Sequence, residues 1–311
     1  MKVLCLGAGA IGGYYCGRLA QAGAADVTFL VRPQRKAKLA EDGLRIESPA
    51  GDATVRVNAV TRDEIDGPAD IVILTCKAYD LDDAIQSIRP AVGPGTAILP
   101  LLNGISHVGR LQEEFGAGAV IGGVARIAIT LMPNGLIKHL NDWTFITFGE
   151  VDGRISERVL ALKAAFDRAP GVKATAVPDI MAQLWDKIVF LATMAGMTSL
   201  MRANAGEIAR SEGGTALAHQ LLAINAEIAA RSGFPLPEAT LTRYRSFYAD
   251  TANPVAASML RDIEGRQKTE GDHIIGFLLG EARRLGVDTG LLAIIHTHLR
   301  AYEERRAAGR L

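Results

Sequence analysis

The chain opens with a strand and a glycine turn, and that pairing constrains the fold more than anything later in the sequence. Lys2–Leu6 is a short apolar run that reads as a buried parallel strand. It passes directly into Gly7, Ala8, Gly9, Ala10, Ile11 and Gly12, the spacing G-x-G-x-x-G, and a helical pattern follows as far as Ala22. This is the strand–turn–helix setting of a dinucleotide fingerprint. In it, Gly7 permits the tight turn, Gly9 lets the backbone approach a pyrophosphate, and Gly12 lets helix and strand pack closely. The free N–H groups and positive dipole end of the helix would receive the phosphates. Read alone, the motif leaves open a glycine turn with no ligand.

The first half of the chain alternates strand and helix patterns. Val27–Val31, Ala69–Cys76 and Thr96–Leu102 read as buried strands, and Tyr79–Ser87 and His107–Phe115 read as helices. Gly43–Ser48 and Ala53–Asn58 alternate apolar and polar residues, which predicts a half-exposed antiparallel pair. Val120–Thr130 is expected to continue the sheet, and Gly135–Leu140 with Trp143–Phe148 to close it as an antiparallel hairpin. Such alternation predicts a doubly wound α/β domain of Rossmann type. From Val177 onward, 3.6-residue periodicity dominates over Ile180–Leu200, Thr215–Ser232, Ala239–Thr251, Ala257–Leu285 and Leu291–Arg306. The expected organisation is a dinucleotide-binding domain over residues 1–174 and an all-helical domain, for substrate and dimerisation, over residues 175–311.

Charge and composition exclude several roles. Lys plus Arg and Asp plus Glu number 34 each, so there is no basic footprint of a nucleic-acid binder. The longest apolar stretch, Ile188–Met201, is shorter than the roughly 20 residues of a membrane span and reads as a core helix. A strand starting at Lys2 leaves no room for a signal peptide. Cys5, Cys16 and Cys76 suggest neither a disulfide framework nor a metal site, and His296 and His298 point to different faces of one helix. The expectation is a cytoplasmic protein without metal, nucleic-acid or membrane partners.

The second strand ends at Arg32, where an acid would hold the ribose 2′-hydroxyl of NAD, and Arg35 and Lys36 follow. An arginine fork matches a 2′-phosphate, so the pattern favours NADP(H) over NAD; a solvated basic loop is the alternative. Lys77 and Asn103 follow the third and fourth buried strands, at the carboxyl edge where open α/β sheets bind ligands. Taken singly, either is an ordinary loop residue. Lys187 opens the most apolar helix. Partial desolvation makes an ammonium there a readier proton donor, whereas a snorkelling lysine paired with Asp186 needs no task. A polar stretch, Ser258–Gly276, interrupts the helical pattern further on.

Taken together, Gly7-x-Gly9-x-x-Gly12, Arg32, Thr75-x-Lys77, Asn103-Gly104, Trp185-x-Lys187, and Ser258 to Asp262 with Thr269-Glu270 resemble the ketopantoate reductase (2-dehydropantoate 2-reductase) family in order and spacing, from residue 1 to about 300. The resemblance implies a Rossmann domain followed by a helical domain, with the site in the cleft between them. It also implies reduction of 2-dehydropantoate to pantoate by NADPH, on the route to pantothenate. By the family pattern Lys187 would be the general acid and touch substrate. Asn103 and Lys77 would contact the cofactor, with Asn103 also shaping the substrate site. Ala128 would lie at the nicotinamide end, Glu270 would hydrogen-bond the cofactor, and Ser258 would meet the substrate carboxylate. The partner is then a small 2-keto acid, and a homodimer stays open.

One departure bears on the substrate. The family carries asparagines four and eight residues after the lysine; here those positions are Leu191 and Ala195. Thr193, Thr198, Ser199 and Asn204 are the nearby polar residues that could substitute. Two other readings therefore stand beside the first: a related NADP-dependent dehydrogenase of another 2-keto or hydroxy acid, and a non-catalytic NADP-binding sensor. A retained lysine and Glu270 argue against the sensor.

Overall fold

The computed structural model describes Met1–Leu311 and divides into two compact units. The first comprises Met1–Leu102 and His107–Gln183; the second comprises Asn103–Ser106 and Leu184–Leu311.

In the first unit, β1 (Lys2–Leu6), β2 (Asp26–Leu30), β3 (Leu44–Glu47), β4 (Ala53–Val55), β5 (Asn58–Val60), β6 (Ile71–Leu74) and β7 (Ala97–Pro100) are followed by β8 (Ile121–Arg126), β9 (Ile129–Leu131), β10 (Ile137–His139), β11 (Phe145–Glu150) and β12 (Lys173–Ala176). The helices are α1 (Ala10–Gln21), α2 (Pro33–Asp42), α3 (Leu81–Ile88), α4 (Ser106–Phe115), whose first residue belongs to the second unit, and α5 (Glu157–Asp167). The main sheet is wholly parallel, in the order β5-β2-β1-β6-β7, with Cys5 opposite Phe29 on one side and Ile73 on the other. Every residue of β6 and β7 is buried, as the unbroken apolar runs of a covered parallel sheet require. The expected α/β Rossmann-type domain is present.

Pairing of the smaller strands differs from expectation. β3 and β4 form the expected antiparallel pair, but Asn58 belongs to β5 and joins the main sheet beside β2. The hairpin expected over 135–148 does not form. β10 pairs antiparallel with β9 and parallel with β3, whereas β11 pairs antiparallel with β8 and parallel with β12. Residues 121–131 therefore split between two further sheets, and a single parallel bridge from Val120 to Ile98 is their link to the main one. A division after residue 174 would cut β12, which β11 holds in the first unit. Helix α1 lies close on the β3–β10 sheet. A Cβ at Gly13 would fall 2.3 Å from Ile137, and one at Gly17 would fall 2.5 Å from Leu44.

Glu150 ends β11 at only 4% exposure. Arg158 grips its two carboxylate oxygens through Nε and Nη2, each at 2.7 Å, and Ser156 Oγ donates at 2.6 Å. Ser156 also caps α5 by accepting from the Val159 N–H. One ionic cluster thus fastens a strand end to the start of the next helix.

The second unit is helical: α6 (Ile180–Met201), which begins in the first unit, then α7 (Ala205–Arg210), α8 (Gly214–Arg231), α9 (Glu238–Ala249), α10 (Ser258–Glu264), α11 (Phe277–Leu285) and α12 (Gly290–Ala307). Helix α6 is long and apolar enough to cross a bilayer, but 56% of its most apolar window is buried within the protein, as in a core helix. Its rotation is fixed by polar and aromatic ties. Tyr244 donates to Asp186 at 2.7 Å, Tyr248 to the Phe190 carbonyl at 2.7 Å, and Asn225 to Thr193 at 3.0 Å. Trp185 stacks on Phe234.

The single helix expected over Ala257–Leu285 is broken. Arg266 takes the left-handed conformation (φ 57°) just past α10. Its N–H bonds back to the Ile263 carbonyl and that of Gln267 to the Asp262 carbonyl, the pair that closes a Schellman end. The chain then runs irregularly to Glu270 and resumes through a π-helical turn at Asp272–Gly276 before α11.

Candidate active site

The sequence-derived candidates fall into two clusters, one in each unit. In the first unit, Gly7 has φ 97°, a conformation that costs other residues a clash. A Cβ at Gly12 would stand 2.3 Å from the Gly7 carbonyl and 2.4 Å from Thr75 Oγ1, so helix and turn approach as closely as the motif implies. A Cβ at Gly9 would meet nothing within 4 Å, so the turn is open there. Gly9 caps α1 without a side-chain bond, and no acid lies in the first turn, Ala10 to Gly12. Ala8 is buried beneath the turn and Ile11 is half-buried. An open glycine, an uncapped helix start and no opposing acid fit a pyrophosphate.

Two side chains bond this turn, and the remaining first-unit candidates stand elsewhere along the sheets. Thr75 Oγ1 donates to the Leu6 carbonyl at 2.9 Å and props the turn from below. Arg35 Nη2 donates to the Ala8 carbonyl at 2.9 Å. Arg32 is exposed at the N-cap of α2, while Lys36 is paired with Glu64. Lys77 is half-buried at the carboxyl end of the β6 segment, capping a short turn at Ala78–Asp80. Ala128 is half-buried between β8 and β9, its N–H donating to Asn141 at 3.2 Å.

The second unit gathers the other candidates. Lys187 Nζ donates to Asn103 Oδ1 at 3.1 Å, and Asn103 Nδ2 donates to Glu270 Oε2 at 3.3 Å. Asn103 therefore bridges ammonium and carboxylate, with each end of its amide facing the partner that suits it. Glu270 is 5% exposed. Asp186, the alternative partner for the lysine, accepts from Tyr244. Ser258 is half-buried at the first position of α10.

Three of the four polar residues that could replace the missing amides, Thr193, Thr198 and Asn204, are committed elsewhere. Thr193 Oγ1 donates to the Val189 carbonyl at 2.8 Å, and Thr198 Oγ1 to that of Met194 at 2.8 Å. Thr198 also accepts from the Ala257 N–H at 3.4 Å. Ser199 is wholly buried, and Asn204 forms a capping box with Glu207. Leu191 is half-buried and Ala195 is 1% exposed.

Sequence reasoning left Thr75 as part of a motif, passed over Ser106 and His273, and left Arg35 as a neighbour. The first two follow a strand and an Asn-Gly pair, a signal of position but not of partner.

Residues 3–153 match the family model described as Ketopantoate reductase PanE/ApbA, and residues 179–303 match that described as Ketopantoate reductase PanE/ApbA C terminal. The chain is 35% identical over 308 residues to an uncharacterized oxidoreductase, YkpB, of Bacillus subtilis, covering 98% of this chain and 100% of the relative. It is 28% identical over 295 residues to a 2-dehydropantoate 2-reductase of Mesorhizobium japonicum, covering 88% and 89%. The crystal structure of a PanE/ApbA family ketopantoate reductase from Ralstonia eutropha JMP134 matches with a TM-score of 0.89 at 25% identity, covering 99% and 100%. With both of its halves matched, the chain belongs to the ketopantoate reductase family, NAD(P)-dependent oxidoreductases that act on a CH–OH group of a small molecule.

Proposed function

We propose that the chain is an NADPH-dependent 2-keto acid reductase whose substrate is 2-dehydropantoate. The observation that carries this reading is the hydrogen-bonded series Lys187–Asn103–Glu270. When bound, the reduced nicotinamide supplies a hydride to the keto carbon. The protein's part is orientation and charge. Lys187 Nζ gives a proton to the keto oxygen as negative charge develops on it, leaving a neutral amine that solvent reprotonates. Asn103 Oδ1 holds one Nζ–H and so limits where the ammonium can aim. Glu270 anchors the other end of the amide. Ser258, Lys77 and Ala128 keep their proposed parts at the substrate carboxylate and along the cofactor. Turnover of NADPH against a panel of 2-keto acids tests the reading, and no oxidation with any of them defeats it.

Preference for NADPH rests on Arg32. Arg35 is already committed to the Ala8 carbonyl, and burial, then the charge of Arg45, push its pKa down. An anion placed there relieves that crowding. A charge-assisted hydrogen bond is worth roughly 1.5–3 kcal/mol. Arg32→Ala is therefore expected to weaken NADPH by about one to two orders of magnitude and to leave NADH nearly unchanged, measured by fluorescence titration. Equal losses for the two cofactors would give Arg32 a structural role instead.

A second substrate reading is favoured by Leu191 and Ala195, with Thr193, Thr198 and Asn204 engaged in local bonds. A site built to hydrogen-bond a hydroxyl rejects analogues lacking it by about 10⁴–10⁵-fold, whereas an apolar pocket cannot. Ketopantoate carries such a hydroxyl at its far end and ketoisovalerate does not. The expected kcat/KM ratio between them is below about 10³, and Leu191→Asn should raise it. Buried Ala195 offers no room for an amide. A wild-type ratio above about 10³ removes the apolar-tail reading and leaves ketopantoate.

A further inference from the structure

The residues beneath Asn103 form a cluster that the proposed chemistry does not itself require. Gly104 has φ 89°, and a Cβ there would lie 2.6 and 2.7 Å from Cδ2 and Nε2 of the His273 ring. The ring thus rests directly on the Asn103–Gly104 turn. Its Nδ1 meets Ser106 Oγ at 3.1 Å, two residues beyond Gly104. Burial lowers the His273 pKa, outweighing Glu270 and the Asn103 backbone, which raise it. A neutral imidazole offers one donor and one acceptor.

The platform that carries the ring is itself held. His273 lies in the π-helical turn Asp272–Gly276, a geometry that recurs at functional sites. On one flank, Asp272 takes His296 Nε2 at 2.8 Å and Arg300 Nη1 at 2.7 Å, both from α12. On the other flank, the N–H and hydroxyl of Thr269 donate to Glu303 of α12 at 2.7 and 2.8 Å. Glu270 therefore lies between two ties to one helix, and His273 follows directly on the second of them.

We propose that His273, together with Ser106, is a positioning residue that fixes the Asn103–Gly104 turn and so aims the Asn103 amide at Lys187 and Glu270. This rests on the reading of Lys187 as the proton donor. The ring touches the turn and acts through Asn103. A misplacement of about 1 Å can cost up to 10²-fold in rate.

A double-mutant cycle provides the test, with kcat and KM for the best 2-keto acid measured beside melting temperature. His273→Ala is expected to lower kcat about 10- to 100-fold with KM changed less than about threefold. In an Asn103→Ala background, the same change should lower kcat by no more than about twofold, since nothing remains to be aimed. His273→Phe keeps the ring volume and should behave like His273→Ala, whereas His273→Gln, a donor and acceptor, should recover most of the rate. Equal losses in both backgrounds, or a lower melting temperature with kcat intact, overturn the proposal. A crystal structure of His273→Phe tests the clamp without relying on turnover. An Asn103 Oδ1 to Lys187 Nζ contact opened beyond hydrogen-bond range supports the clamp, and an unchanged contact refutes it. Should the wild type reduce no 2-keto acid, the proposed function fails on its own, while the crystal structure still decides the role of His273.

Discussion

Lys187→Ala should lose about 10²- to 10⁴-fold in turnover of a 2-keto acid while still binding NADPH. The glycine turn, α1 and Arg32, to which the proposed function assigns the phosphates, do not involve Lys187. The variant also leaves Asn103 and Glu270 in place, with the amide oxygen unpaired by the ammonium. Loss should therefore appear in kcat, with cofactor affinity held to within a few-fold. Rapid mixing of enzyme, NADPH and keto acid separates hydride transfer from release of products. A fall of less than about tenfold would show that another group, or water, delivers the proton.

Arg158→Ala is expected to lower stability by about 3 kcal/mol. Glu150 is 4% exposed, and Arg158 supplies two of its three side-chain hydrogen bonds. Removing the arginine strands a buried carboxylate with Ser156 alone. The lower end of the usual range applies because the Arg158 side chain is 25% exposed. Burial pushes the Glu150 carboxyl up, but the hydrogen bonds from Arg158 and Ser156 outweigh it and leave it below its ordinary value. A depressed carboxyl contributes stability above its unfolded pKa, and that contribution is lost as pH falls through the folded value. The gap in denaturant midpoint between wild type and Arg158→Ala should thus be full at pH 7 and narrow in strong acid. A gap below about 1 kcal/mol at pH 7 would mean that water reaches Glu150. Replacing both residues by leucine should restore much of the loss.

Local features of the fold and site were readable in the sequence, and distant pairings were not. The turn from Gly7 to Gly12 and the run of β6 carry their geometry in consecutive residues, so their reading needs no knowledge of the rest. The helices after Val177 repeat at 3.6 residues and are equally self-contained. By contrast, β10 and β11 adjoin in sequence and pair with different sheets, because partners from β3 and β12 satisfy them. The break after α10 depends on Arg266 in a conformation usually left to glycine, which composition does not announce. Asn103 and Lys187 could each be suspected from position. That one amide would join Lys187 to Glu270 across long stretches of chain is a tertiary fact.

The commitment of the polar side chains on α6 also bears on how such a protein can change its diet over evolution. Thr193 and Thr198 bond the preceding turn, Asn225 leans on Thr193, and Ala195 has no exposed side. A new polar group at any of these places would arrive without a partner and would cost stability before it conferred a benefit. Leu191 is half-buried and can accept one in a single step. On the proposed reading of the substrate tail, drift in substrate range runs through that position, so lineages that acquire a different substrate should diverge there first and keep the rest of the helix still.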